Sequence, residues 1–277
     1  MTPVSFTKMH GLGNDFMVID NRLGTVDLQP ERVRRWADRH TGIGFDQLLV
    51  VSNPSIANVE FDYRIFNADG DEVEHCGNGA RCFARYVTER GFTQSSSIRV
   101  NTSGGVITLE LRENGDVTVY MGVPVFTPAA IPFVADEEAL FYELNVDGET
   151  LSVGAAGIGN PHVVLIVDDV ASAEVERLGP LLEKHARFPK RVNVGFLQIV
   201  DRQHAKLRVY ERGVGETRAC GSGACAAVAI AHRQGLLDNE AIVTLPGGEL
   251  KLFWPNATTA IEMTGPCSTV FEGQTRM

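Results

Sequence analysis

Positive charge is scarce in this sequence: 25 Lys and Arg stand against 35 Asp and Glu, leaving a net charge of -10 at neutral pH and a sequence pI of about 5.2. A phosphate-binding face needs concentrated Lys and Arg, and no basic run interleaved with aromatics occurs. No nucleic-acid partner is therefore expected. Long hydrophobic runs are missing as well. Stretches such as Val163–Val167 and Ala224–Ala231 fall far short of the roughly 20 apolar residues that cross a bilayer, so no membrane association is expected either. The N-terminus, Met1-Thr-Pro-Val-Ser-Phe-Thr-Lys8, lacks the charged start, apolar centre and small-residue cleavage site of a secretory signal, which points to the cytoplasm.

Cysteine is sparse and odd in number, at positions 76, 82, 220, 225 and 267. A chain of 277 residues with 44% apolar content can build its core without disulfide staples, so reactivity explains some of these thiols better than bridging does. No Cys-x2-Cys pair or His cluster is present. Cys76-x5-Cys82 and Cys220-x4-Cys225 are poor zinc patterns, and no metal site is expected.

What the chain does have is an internal duplication. Gly11-Leu-Gly-Asn14 recurs as Gly157-Ile-Gly-Asn160, Gly44-Phe-Asp-Gln47 as Gly195-Phe-Leu-Gln198, and Cys76-Gly-Asn-Gly-Ala80 as Cys220-Gly-Ser-Gly-Ala224. Glu72 and Glu216 precede their cysteines at the same spacing. After each cysteine, apolar residues fall at helical spacing: Ala80, Phe83, Ala84 and Val87 before Gly91, then Ala224, Ala227, Val228 and Ala231 before Gly235. Before each helix lies a strand-like alternation, Phe61, Tyr63 and Ile65 in one copy and Leu207 and Val209 in the other.

Further strands are expected at Val106–Leu111, Val117–Met121, Ile242–Leu245 and Leu250–Trp254, with helices at Pro30–His40 and at Ala173–His185, the latter interrupted by Gly179-Pro180. The fold class expected is α/β (α+β): two pseudo-symmetric lobes, each a mostly antiparallel sheet around a central helix, with the active site in the cleft between them. Prolines at 124, 128 and 132 favour an extended connector. The expected division is therefore 1–121 for the lobe carrying Cys76 and 122–265 for the lobe carrying Cys220, with 266–277 a candidate strand returning to the first lobe.

A cysteine opening a helix has unpaired N–H groups and the positive end of the helix dipole beside it, which is expected to lower its thiol pKa. Glycines after it leave backbone donors that can hold a carboxylate. Two such cysteines facing one ligand supply what inversion of a stereocentre needs, removal of a proton from one face and delivery to the other. Cys82 and Cys225 lie within the helices and Cys267 carries no motif, so all three are expected to pack.

Met9-His-Gly-Leu-Gly-Asn-Asp-Phe16, Asn67-Ala-Asp-Gly70, Cys76-Gly-Asn-Gly-Ala-Arg-Cys82, Gly159-Asn-Pro-His162, Glu211-Arg-Gly213 and Ala219-Cys-Gly-Ser-Gly-Ala-Cys225 resemble, almost end to end, the motifs of the diaminopimelate epimerase family. The resemblance implies an isomerase of lysine and peptidoglycan-precursor biosynthesis. It would interconvert LL- and meso-2,6-diaminopimelate with no cofactor, neither pyridoxal phosphate nor metal. It implies catalytic Cys76 and Cys220, with His162 and Glu211 tuning the thiols. Asn14, Gln47, Asn67, Asn160, Asn193, Glu211 and Arg212 would hold the small-molecule substrate, and the backbones of Gly77-Asn78 and Gly221-Ser222 would hold the reacting carboxylate. Two ammonium and two carboxylate groups on such a substrate suit this mixture of Arg, Glu and amides. A homodimer is the family habit, although Phe271 stands where some members have Tyr, so a contact through that hydroxyl is not available. Other readings open from the residues are a proline or hydroxyproline racemase with the same two-thiol logic, a cysteine metal or redox module, and a two-lobed binding protein.

Overall fold

The computed structural model describes residues 3–74 and 76–276. The chain divides into two compact units, Met1–Tyr120 with Thr264–Met277, and Met121–Met263. The fold is mixed α/β, with sheet predominating.

The first unit runs β1 (Val4–Gly11), β2 (Asn14–Asp20), α1 (Pro30–Ala37), β3 (Gln47–Ser52), β4 (Phe61–Asn67), β5 (Glu72–Val73), α2 (Gly77–Glu89), β6 (Ser97–Thr102), β7 (Gly105–Leu111) and β8 (Val117–Tyr120). Hairpin neighbours pair antiparallel. The two crossovers that contain helices give parallel pairs, β2 with β3 across α1 and β4 with β6 across α2, as a helical return requires. Pro30 sits in the first turn of α1, where its missing N–H costs nothing. Val33, Trp36 and Ala37 then pack on Met17, Ile19, Leu48 and Val50.

The second unit opens with an irregular segment in which Val125 bridges Gly157 and Pro128–Ala130 makes one 3-10 turn. It continues as β9 (Tyr142–Val146), β10 (Glu149–Gly157), β11 (Pro161–Ile166), α3 (Val175–Glu183), β12 (Asn193–Asp201), β13 (His204–Glu211), β14 (Gly215–Thr217), α4 (Gly221–Arg233), β15 (Glu240–Leu245) and β16 (Gly248–Phe253). The parallel pairs recur in the same places, β11 with β12 across α3 and β13 with β15 across α4. The chain then passes through β17 (Glu262–Gly265) to β18 (Ser268–Thr275), which pairs antiparallel with β1.

Registry corrects one of the sequence matches. Phe16 lies beside Gln47 in the first unit and His162 beside Asn193 in the second, so the counterpart of Gln47 is Asn193, the opening residue of β12. Gln198 lies further along β12, opposite Lys206. The string Gly195-Phe-Leu-Gln198 is thus strand interior, and its likeness to the loop Gly44-Phe-Asp-Gln47 is accidental. A second difference concerns Pro180, which does not interrupt α3 but lies within it. Gly179 beside it lets the helix approach the Tyr210 ring so closely that a Cβ would sit 2.6 Å from it.

Each central helix is buried because a curved sheet wraps it. α4 is buried along almost its whole length and is built mostly of Ala and other small residues, which lets strands approach it closely. A Cβ on Gly154 would lie 2.3 Å from Ile230. α2 uses larger residues, and Phe83 meets Tyr63 with ring centroids 4.5 Å apart and Phe61 at 6.2 Å. Phe83→Ala should therefore cost about 3–5 kcal/mol, read from urea unfolding. The exposed Val106→Ala on β7 should stay within about 0.5 kcal/mol of wild type.

Candidate active site

In the first unit Cys76 is the N-cap of α2, in extended conformation, and its Sγ accepts a hydrogen bond from the Gly79 N–H at 3.3 Å. That satisfies one of the donors a helix start leaves without an intrahelical partner. Position 79 must be glycine for packing, because a Cβ there would lie 2.5 Å from the Tyr63 hydroxyl and 3.0 Å from Leu49. Asn14 opens β2 after the two-residue turn Leu12–Gly13, both of positive φ, the twist that suits a tight hairpin. Its Oδ1 lies 3.7 Å from the Cys76 Sγ and accepts from Asn78 Nδ2 at 3.3 Å. Gln47 and Asn67 face each other across β3 and β4, joined by Gln47 Nε2 donating to Asn67 Oδ1 at 2.8 Å. Gln47 Oε1 is buried and has no partner among the described residues.

The second unit repeats this plan with different polar groups. Cys220 is the N-cap of α4 and is 4% exposed, with its Sγ 3.7 Å from the Ser222 hydroxyl. A Cβ on Gly223 would press on Cys220 Sγ and Val209, each at 3.1 Å. Glu211, at the end of β13 where the first unit has Asn67 on β4, carries its charge beside Cys220 and accepts from Thr217 Oγ1 at 2.5 Å. Asn160 Oδ1 lies 2.7 Å from His162 Nε2. Buried Asn193 accepts from the Arg212 N–H at 2.9 Å and donates to the Pro161 carbonyl at 3.2 Å. The Arg212 side chain is exposed and donates to the Lys190 carbonyl at 3.1 Å.

The electrostatics correct the expectation that a helix start lowers both thiols. Burial pushes Cys220 well above the usual thiol range, and the Glu211 charge adds to it. The Gly223 N–H and the Ser222 hydroxyl pull the other way without prevailing. Desolvation costs an ion more than one helix end returns, so Cys220 is a neutral thiol at neutral pH. Burial, reinforced by the Arg212 charge, lowers His162 to about 3. It is a neutral imidazole whose Nε2 lies against the Asn160 side chain.

The structure therefore gathers Cys76, Asn14 and Asn78 into one cluster and Gln47 with Asn67 into another within the first unit. In the second it gathers Cys220, Ser222 and Glu211, Asn160 with His162, and Asn193 with Arg212. Glu211 reaches a thiol directly, whereas the hydrogen bond from His162 goes to Asn160. Gly77 and Gly221 each open their helix. The sequence pattern missed Thr217 and the charged groups behind Asn14, which share no spacing signal because they meet only through the fold. Cys82, Cys225 and Cys267 are buried. Among the described residues no cluster of three or more His, Cys, Asp or Glu is placed to hold a metal ion, and no helix is long and apolar enough to cross a membrane.

The family model for diaminopimelate epimerase matches residues 6–127 and 154–270. The chain belongs to the diaminopimelate epimerase family. Diaminopimelate epimerases of Stutzerimonas stutzeri and Azotobacter vinelandii are 57% and 58% identical to it over 272 residues, covering 98% of this chain and 99% of theirs. Among solved structures, a phenazine biosynthesis protein of the PhzF family from Bacillus anthracis superposes with a TM-score of 0.71 at 18% identity, over 100% of both chains. A hydroxyproline epimerase from Agrobacterium vitis gives 0.70 at 14%, over 98% of this chain and 92% of its own. At those identities they share the fold alone.

A pH test of stability follows from His162. Its folded pKa lies below the usual value of 6.5, so its contribution is complete above about pH 6.5 and is lost as pH falls toward about 3, at up to about 1.4 kcal/mol per pH unit. Urea midpoints should fall less on acidification for His162→Gln than for wild type. An equal fall would show that His162 does not carry this limb.

Proposed function

We propose that this chain interconverts LL- and meso-2,6-diaminopimelate by a two-thiol mechanism, as an isomerase of lysine and peptidoglycan-precursor biosynthesis. The observation that carries the reading is the recurrence of one arrangement in both units. Each has a cysteine at the start of a buried helix, followed by Gly-x-Gly, with a polar side chain from a strand end beside it, Asn14 from the start of β2 at Cys76 and Glu211 from the end of β13 at Cys220.

One cysteine, as thiolate, takes the α-proton. The electron pair left on carbon spreads into the substrate carboxylate, which the first-turn backbones at Gly77-Asn78 and Gly221-Ser222 hold. Each well-placed donor lowers the barrier by roughly 3 kcal/mol, by analogy with oxyanion holes. The other cysteine, as thiol, delivers its own proton to the opposite face. The two sulfurs thereby exchange protonation states, and the reverse reaction begins from the exchanged pair. The reading requires both half-sites to serve one substrate, with one lobe supplying each thiol. The neutral Cys220 suits the donor in one direction, and the charge of Glu211 beside it would govern its proton.

Recognition of the rest of the substrate falls to groups with spare capacity. The orphaned Gln47 Oε1 costs about 1–3 kcal/mol while unsatisfied and would accept from an ammonium. Arg212 would take a carboxylate in bidentate fashion, and Asn14, Asn67, Asn160 and Asn193 complete the polar lining with His162 behind Asn160. Two working thiols need a reducing setting, which the cytoplasm provides. A homodimer is supported by β18, which leaves Val270 and Phe271 exposed.

The test is turnover of LL-diaminopimelate in D2O, with deuterium appearing at one α-carbon as meso product forms and with L-proline left unchanged. Cys76→Ala and Cys220→Ala should each lower turnover by about 1000-fold or more. Full turnover in either variant would sink the two-thiol mechanism, and turnover of L-proline instead would sink the substrate.

A further inference from the structure

Behind Asn14 lies a lattice of charges that the mechanism above does not use. Asp46 Oδ2 accepts from Asn14 Nδ2 at 2.8 Å and from the Asp15 N–H at 3.1 Å, while its Oδ1 accepts from Arg39 Nη2 at 2.8 Å. Asp15 answers by accepting the Asp46 N–H at 3.1 Å and both Arg39 amino groups at 2.7 and 3.0 Å. Lys8 pins Asp15 at 2.5 Å and donates to the Gly44 carbonyl. At the other end, Arg81, 0% exposed, donates from Nη2 to Asn78 Oδ1 at 3.0 Å.

Joined up, these bonds have a direction. Arg81 donates to the Asn78 oxygen, the Asn78 nitrogen donates to the Asn14 oxygen at 3.3 Å, and the Asn14 nitrogen donates to Asp46. A guanidinium can only donate and a carboxylate can only accept. Turning both amides over would set N–H against guanidinium at one end and oxygen against carboxylate at the other. The ends therefore decide which way both amides point, and the Asn14 oxygen is the atom left facing the Cys76 sulfur at 3.7 Å.

We propose that Asp46 is a positioning residue that acts through Asn14: its carboxylate turns the Asn14 amide so that oxygen, not nitrogen, meets the Cys76 thiol. An oxygen there accepts from S–H and favours the thiol. A nitrogen would donate to sulfur and favour the thiolate. Asp46 thus sets the protonation preference of Cys76 without touching it. The proposal rests on Cys76 being a reacting thiol.

The test is the pH dependence of Cys76 alkylation by iodoacetamide, followed by peptide mass mapping of the full chain. It is run as a double-mutant cycle with wild type, Asp46→Asn, Asn14→Ala and both together. The titratable neighbours of Cys76 include Tyr63 and Cys82, with the Arg81 charge beside Cys82, and they are the same in all four proteins. Asp46→Asn removes the acceptor that holds one end while Arg81 still holds Asn78 at the other, so Asn14 turns over in part of the molecules and the alkylation midpoint should move down by about half a pH unit, a roughly threefold gain in thiolate at fixed pH. In the Asn14→Ala background the same substitution should move it by less than about a third of that. Asp46→Glu, which keeps an acceptor-only carboxylate, should restore the wild-type midpoint. Equal shifts in both backgrounds would mean a direct charge effect and would overturn the proposal, as would no shift in Asp46→Asn. Should Asp46→Asn fail to fold, Arg39→Gln, which loosens the same carboxylate from its other side, should move the midpoint the same way by a smaller amount, and no movement there would overturn the proposal. Alkylation does not depend on turnover, so a shifted midpoint in a chain that leaves diaminopimelate unchanged would keep this role for Asp46 and refute the substrate.

Discussion

Both cysteines sit where a buried helix begins, and at Cys220 desolvation competes with the helix N-terminus. The helices cannot be moved outward to relieve it. α4 is built of residues small enough for strands to close around it, and α2 is held by the Phe83, Tyr63 and Phe61 rings. At Cys220 desolvation wins and the thiol stays protonated. The position that a simple dipole argument would assign to an activated nucleophile holds a neutral thiol instead.

Close packing and polar supply are coupled at the same places. At Gly79 the Tyr63 hydroxyl leaves no room for a Cβ, and at Gly223 a Cβ would press on Val209 and on Cys220 itself. The helix starts therefore pack closely on strands of the sheet, α2 on Tyr63 and Leu49 and α4 on Val209. Corresponding positions carry different chemistry: Asn67 in one unit and Glu211 in the other, Asn78 and Ser222, Gln47 and Asn193. A duplicated scaffold with unlike side chains suits a reaction in which one side must give a proton while the other takes it. The ion pairs Arg64–Glu72 and Arg208–Glu216, each two-pronged, are by contrast the same in both units. They brace the strand before each cysteine turn, and Glu72 and Glu216 owe their matching places in the sequence to that bracing.

Much of this was legible beforehand because it is local. The apolar spacing of Ala80, Phe83, Ala84 and Val87 and of Ala224, Ala227, Val228 and Ala231 marks two helices that the structure contains, and Gly91 and Gly235 lie just past their ends. The expected mixed sheet-and-helix class is the class observed. Local likeness and tertiary place part company at two points. Gly195-Phe-Leu-Gln198 looks like Gly44-Phe-Asp-Gln47, yet strand registry pairs Gln47 with Asn193 in role. Pro180 reads as a helix breaker, yet packing of α3 on Tyr210 keeps the helix whole.

The sequence by itself determined the cysteine-bearing helix starts, the glycines beside them and the family to which the chain belongs, since each rests on residues adjacent in the chain or at helical spacing. The tertiary structure alone decided which polar groups meet each sulfur and which proton state Cys220 holds. Lys8 and Asp15 come from β1 and β2, Arg39 and Asp46 from the segment between α1 and β3, and only the fold joins them into one hydrogen-bonded lattice. Burial, which sets the Cys220 proton state, is a property of the packed chain that no spacing of residues encodes.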